Sequence, residues 1–172
     1  MHRLHLLRHT KSSWNDDLDD AERPLAKSGR KAARLIGETL PSAIGALDLV
    51  LCSAAVRTRE TAELALAGFS PAPKVRYENG LYLATLETLT ARLRRLDEEC
   101  GAVMVIGHNP GLHELAIALA APGSSESRTL GEGKFPTGVR ISFAIDGSWV
   151  DLNSRRHKIV GLVTVKSLGG KD

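Results

Sequence analysis

Cysteine, aromatic residues and long apolar runs are all scarce in this chain, and each shortage excludes something. The two cysteines, Cys52 and Cys100, do not form a closely spaced pair, so neither a disulfide framework nor a zinc knuckle is indicated, and a reducing compartment is expected. Aromatics make up only 4% of the residues, so the apolar content is aliphatic and suits parallel strands covered by Ala- and Leu-rich helices. No apolar run approaches membrane-spanning length, and Arg8 interrupts the one place where a leader's apolar segment would lie. A soluble cytoplasmic protein without a membrane partner is the expectation. Charge is nearly balanced at +3 with a pI near 9.0, which is compatible with an anionic substrate and too weak to argue for nucleic acid. No repeat, low-complexity stretch or Pro/Gly/Ser-rich boundary divides the 172 residues, so one domain over 1–172 is expected.

What is present is a succession of short aliphatic strands followed by amphipathic segments. Leu4, Leu6 and Leu7 mark a buried strand from which Arg8 and His9 emerge. An acidic loop then leads to a helix predicted over 29–40, capped near Ser28 and stopped by Pro41. Leu47, Leu49, Val50 and Leu51 mark a second strand, followed by a helix over 56–68 that carries Arg57 near its N-terminus. A short strand at 75–77 leads to Glu78 and a turn at Asn79-Gly80. The helix predicted over 86–99 presents a charged face with intrahelical ion pairs. The apolar strand over 102–106 delivers His108 into a helix over 110–121, a placement that repeats that of His9. Residues 122–136 read as a long loop. Alternating residues over 139–145, a hairpin continuation at Trp149 and Val150, and a strand over 158–165 close the sheet.

Strand-then-helix units imply parallel crossovers whose strands end on one edge of the sheet. Arg8, His9, Arg57 and His108 would meet there. Two guanidiniums match phosphate oxygens, and a second imidazole adds a hydrogen bond as charge shifts. A neutral imidazole can attack phosphorus in line and carry the phosphoryl group, provided a backbone carbonyl fixes its other ring N–H. Glu78 could protonate a leaving group or activate water.

Three other chemistries fit less well. Cys52 lies one residue too close to Arg57 and one too far from Arg59 for a C-x5-R phosphatase loop. His108 and His113 do not share a helical face, and His113-Glu114 lacks the second histidine of HExxH, so no metal or other cofactor is expected. A non-catalytic phosphate- or RNA-binding module would use Arg92, Arg94, Arg95, Arg155, Arg156 and Lys158, but no aromatic platform accompanies them.

Taken together, LLRHTKSSWN, ERPLAKSG, SAAVRTRETAE, VIGHNPGLHEL and KFPTG resemble the motifs of the histidine phosphatase superfamily, also called phosphoglycerate mutase-like. The likeness is strongest to its small SixA-type phosphohistidine phosphatase branch. It implies an α/β fold, a mixed, mainly parallel sheet between helices in three α/β/α layers, and metal-independent hydrolysis. It makes His9 the phosphorylated nucleophile, with Arg8, Arg57 and His108 completing the phosphate pocket. Ser12 and Asn15 match positions close to the phosphate in mutase relatives. Thr10 replaces the glycine of the RHG signature, and Ala54 the proline that often follows Ser53. Glu78 matches the family's acid by approximate position. The implied partner is a phosphohistidine-bearing protein or a small phosphorylated substrate.

Overall fold

The computed structural model describes residues 1–14 and 17–171. The six strands are β1 (His2–Arg8), β2 (Leu49–Ser53), β3 (Lys74–Glu78), β4 (Ala102–Gly107), β5 (Arg140–Ile145) and β6 (Lys158–Val163). They form one sheet in the order β3-β2-β4-β1-β5-β6. β1, β2, β3 and β4 run parallel, whereas β5 is antiparallel to β1 and to β6, so the sheet is mixed. The helices α1 (Lys27–Ile44) and α2 (Val56–Ala65) cover one face. The helices α3 (Leu86–Arg94), α4 (Gly111–Leu119) and α5 (Ser125–Gly131) belong to the other. This gives the three-layer α/β/α arrangement.

Strand pleating divides the core in two. Leu4 and Leu6 join Leu51, Val105, Leu112 and Leu115 in the layer under α3 and α4. Leu7 joins Ile36, Val50, Ala62, Met104 and Ile106 under α1 and α2. With both faces covered, the central strands are buried continuously, and β5 is too. The alternation expected over 139–145 is therefore not a division between core and solvent.

Several expected boundaries move for physical reasons. α1 begins after Ala26 rather than near Ser28 and runs through Pro41, with the Gly45 amide closing the last turn on the Pro41 carbonyl. α3 stops at Arg94, and its charges reach outward: Arg92 pairs with Glu78 of β3, and Arg94 donates to the Val150 carbonyl, in place of intrahelical pairs. Residues 122–136 contain α5, because Ser124 Oγ accepts the Ser127 amide as an N-cap and Leu130 is buried against the core. The serine-rich composition that suggests a loop also serves a helix start. Trp149 and Val150 lie in a turn rather than a strand; Trp149 is fully buried, with its Nε1 on the Cys100 carbonyl at 2.8 Å.

Two glycines set how closely the layers approach the β1 exit. A Cβ on Gly29 would lie 1.9 Å from the Lys11 carbonyl oxygen, so only glycine lets α1 press on the segment leaving β1. Gly138 has φ +77° and donates its amide to the carbonyls of Arg8 and His9 at 3.1 and 3.0 Å. Among the described residues no helix is long and apolar enough to cross a membrane.

Candidate active site

The parallel register puts Arg8 of β1 beside Gly107 of β4, so His9 and His108 leave adjacent strands one residue further on. Their rings lie 5.4 Å apart, centroid to centroid. β2 ends beside them, and the turn after Ser53 starts α2 with Arg57 as its second residue. Thr61 ties α2 to the β1 exit: its hydroxyl oxygen accepts the Thr10 amide at 3.2 Å and donates to the Arg57 carbonyl at 2.7 Å. Thr10 is itself buried beside Thr61, so this side chain is accommodated where the RHG signature has glycine.

Arg8, His9, Ser12, Arg57 and His108 line one cleft of about 460 Å³, together with Lys11, Trp14, Asp20, Arg23, Leu83, Asn109 and Thr137. Of the residues expected there from sequence, Asn15 lies outside the described residues. Glu78 does not line the cleft. Its carboxylate is held by Arg92 through Nε at 2.8 Å and Nη2 at 3.0 Å, and that pairing keeps its pKa below the usual range. Its place at the end of β3 is on the same sheet edge, but with two strands, β2 and β4, between it and β1.

The tautomer of His9 follows from its acceptor-only partner, and that of His108 depends on which way the Ser53 hydroxyl points. His9 Nδ1 lies 2.7 Å from the Thr10 carbonyl, which only accepts, so Nδ1 carries the proton and Nε2 keeps its lone pair. Ser53 Oγ accepts the Ala55 amide and lies 2.7 Å from His108 Nε2; with the Ser53 hydroxyl hydrogen directed at Nε2, the ring proton sits on Nδ1. Burial lowers the pKa of His9 to about 4 against the pull of the Thr10 carbonyl, with Arg57, Arg8 and Arg23 lowering it further. Burial lowers His108 to about 3, with His9 and Arg57 adding to it. Both rings are neutral at pH 7.

Around the neutral rings stands a cluster of cations. Burial, then the neighbouring Arg57, lowers the Arg8 pKa, a sign of positive charge concentrated in a space where an anion would be stabilised. Arg8 Nη1 donates to the Phe135 carbonyl at 2.8 Å. Arg8 Nε and Arg57 Nε are buried donors, and His108 Nδ1 a buried ring nitrogen, with no partner among the described residues. All three belong to residues lining this cleft, so its lining carries unsatisfied donors and net positive charge.

Sequence reasoning missed Asp20, Arg23, Ser53 and Tyr82. Asp20 accepts from Arg57 Nη2 and Arg23 Nε, each at 3.0 Å, and from the Tyr82 hydroxyl, which together hold its carboxyl well below the usual carboxylate range. The Tyr82 ring meets His108 edge-on, with centroids 5.5 Å apart. Arg23 follows the acidic loop within ERPLAKSG and was a usable signal. Asp20 stood beside three other aspartates, at 16, 17 and 19, with nothing local to single it out. Cys52 is fully buried, and burial pushes its thiol up to about 12, so it is inert as a nucleophile. His113 packs against Phe135 at 5.1 Å and bonds to the Leu130 carbonyl.

A family model for the histidine phosphatase superfamily (branch 1) matches residues 4–82. The chain is 35% identical over 157 residues to the uncharacterized Mycobacterium tuberculosis protein Rv1276c, an alignment covering 90% of this chain and 97% of that one. A structure from Nakamurella multipartitia, provisionally assigned as the phosphohistidine phosphatase SixA, matches with a TM-score of 0.81 at 27% identity, over 94% of this chain and 95% of that one. The protein histidine phosphatase SixA complexed with tungstate matches with a TM-score of 0.77 at 21% identity, over 96% and 99% of the two chains, a likeness of fold alone. The three-layer arrangement is thus phosphoglycerate mutase-like.

Proposed function

Because the chain belongs to the histidine phosphatase superfamily, we propose that it is a SixA-like phosphatase that removes the phosphoryl group of phosphohistidine on a protein through a covalent intermediate on His9. His9 Nε2 attacks phosphorus and forms the new N–P bond while the N–P bond to the substrate imidazole breaks. Arg8, Arg57 and the Nδ1–H of His108 hold the phosphoryl oxygens. Water then attacks phospho-His9, releasing inorganic phosphate and returning the neutral ring. The Thr10 carbonyl keeps Nδ1 protonated throughout, so the same nitrogen attacks and leaves.

One observation carries the choice of substrate. Neither acid near the site can lend a proton at neutral pH: Glu78 is paired with Arg92 outside the cleft lining, and Asp20 is held ionised by Tyr82, Arg57 and Arg23. An alkoxide leaving group needs such a donor. An imidazole already protonated on its distal nitrogen leaves as a neutral ring without one.

The test is phosphate release from a phosphohistidine peptide in the presence of chelator, beside alkyl phosphate esters and the His9→Ala variant. Release from the peptide that vanishes in His9→Ala, with an acid-labile phosphate trapped on the wild-type protein, is the expected result. Faster release from alkyl esters would replace this reading with a phosphatase of a small phosphorylated metabolite. Phosphate binding without turnover of either donor would leave only a binding module.

A further inference from the structure

Two apolar side chains stand exposed at the rim of a cleft whose other lining is largely charged and polar. Trp14 is 82% exposed and Leu83 is 49% exposed, and both line the cleft with His9, Arg8 and Arg57. The Arg23 guanidinium lies 3.9 Å from the Trp14 ring centroid, and Arg23 is in turn buried and fixed by Asp20, by Ser12 Oγ at 2.8 Å and by the Ser13 carbonyl at 3.1 Å. A cation over one side of the indole orients the ring without burying it. Leu83 has φ +49°, the sole positive value of a non-glycine residue among the described residues. A leucine in that region is strained, and such strain collects at ligand-binding positions.

The donors therefore line the same cleft that these hydrophobic groups border. We infer that Trp14 and Leu83 form a leaving-group subsite that takes a flat aromatic or heteroaromatic ring while Arg8, Arg57 and His108 take the phosphoryl group. This rests on the phosphohistidine reading in that the ring then is the substrate imidazole. The subsite itself requires only that phosphorus be attached to a planar group. Stacking on the indole favours such a ring over an alkyl group, because an aromatic face offers area and a polarised edge that a methyl group lacks.

Calorimetric binding of phenylphosphonate and methylphosphonate, neither of which is turned over, tests the subsite directly. Wild-type protein is expected to bind the phenyl compound about 5- to 30-fold more tightly than the methyl compound, the range of stacking on one aromatic side chain. Trp14→Ala should reduce that preference to within about twofold by weakening phenylphosphonate far more than methylphosphonate, while Trp14→Phe should keep most of it. The inference is overturned if wild type shows no preference, or if Trp14→Ala weakens both compounds alike. Turnover of the phosphohistidine peptide is scored separately. A phenyl preference without peptide turnover would refute the phosphohistidine reading and keep the subsite, and peptide turnover without a phenyl preference would do the reverse.

Discussion

Acidification from pH 7 to pH 5 should remove several kcal/mol of stability through three buried histidines. His5, His9 and His108 are each at most 7% exposed, with pKa values lowered from 6.5 to about 4, about 4 and about 3. Burial is the largest cause at each, and cations add to it, Arg140 and Arg3 at His5 and Arg57 at the other two. Because the folded values are depressed, the unfolded chain binds protons that the native state refuses, and stability present above pH 6.5 is lost as the pH falls toward 4. For one such histidine the loss between pH 7 and pH 5 is about 2 kcal/mol, and for three about 6 kcal/mol, a large part of an ordinary domain's stability. Urea unfolding at the two pH values measures the loss, and proton uptake on unfolding near pH 5 should approach three. His5→Gln, which is remote from the cleft, should flatten the pH dependence by about a third whatever its effect at pH 7. Stability that stays level between pH 7 and pH 5, or ring nitrogens that titrate near 6.5 by NMR, would refute the burial argument. The same depressed values keep His9 a neutral nucleophile at pH 5.

Further outcomes follow from single side chains. Ser53→Ala removes the hydroxyl 2.7 Å from His108 Nε2 and leaves a buried ring nitrogen without a partner; urea unfolding should show a loss of about 1–3 kcal/mol, and phosphate release should slow by about tenfold as the Nδ1–H tautomer loses its support. Glu78→Gln should leave kcat within about twofold and lower stability by no more than about 1 kcal/mol, since the pair with Arg92 is partly solvated; a hundredfold fall in kcat on an ester substrate would make Glu78 the acid after all. Gly29→Ala forces a Cβ to within 1.9 Å of the Lys11 carbonyl, so a loss of about 2–3 kcal/mol in thermal or urea unfolding is expected, with slower turnover because Lys11 and Ser12 border the cleft.

Residue identity and local periodicity were enough to read β1, β2 and β4, the helices α1 to α4, and the convergence of Arg8, His9, Arg57 and His108 at strand and helix ends. Those features are local: a short aliphatic run must be buried, and whatever follows it in a parallel sheet emerges at one edge. The resemblance carried by LLRHTKSSWN and VIGHNPGLHEL pointed to the same edge. What only the tertiary structure decided involves partners distant in sequence. The choice of Glu78 as acid could not be judged until Arg92 was seen to hold it, and the importance of Asp20 appears only where Arg23, Arg57 and Tyr82 converge on it. Helix α5 hid in a serine-rich stretch because its apolar contact is essentially one leucine, Leu130, packed against the rest of the core. Tautomers, pKa values and the exposure of Trp14 depend on packing and dielectric surroundings rather than on neighbours in the chain. The candidate groups were legible one by one in the chain, and the fold set their hydrogen-bond partners and burial, because those are properties of the assembled layers.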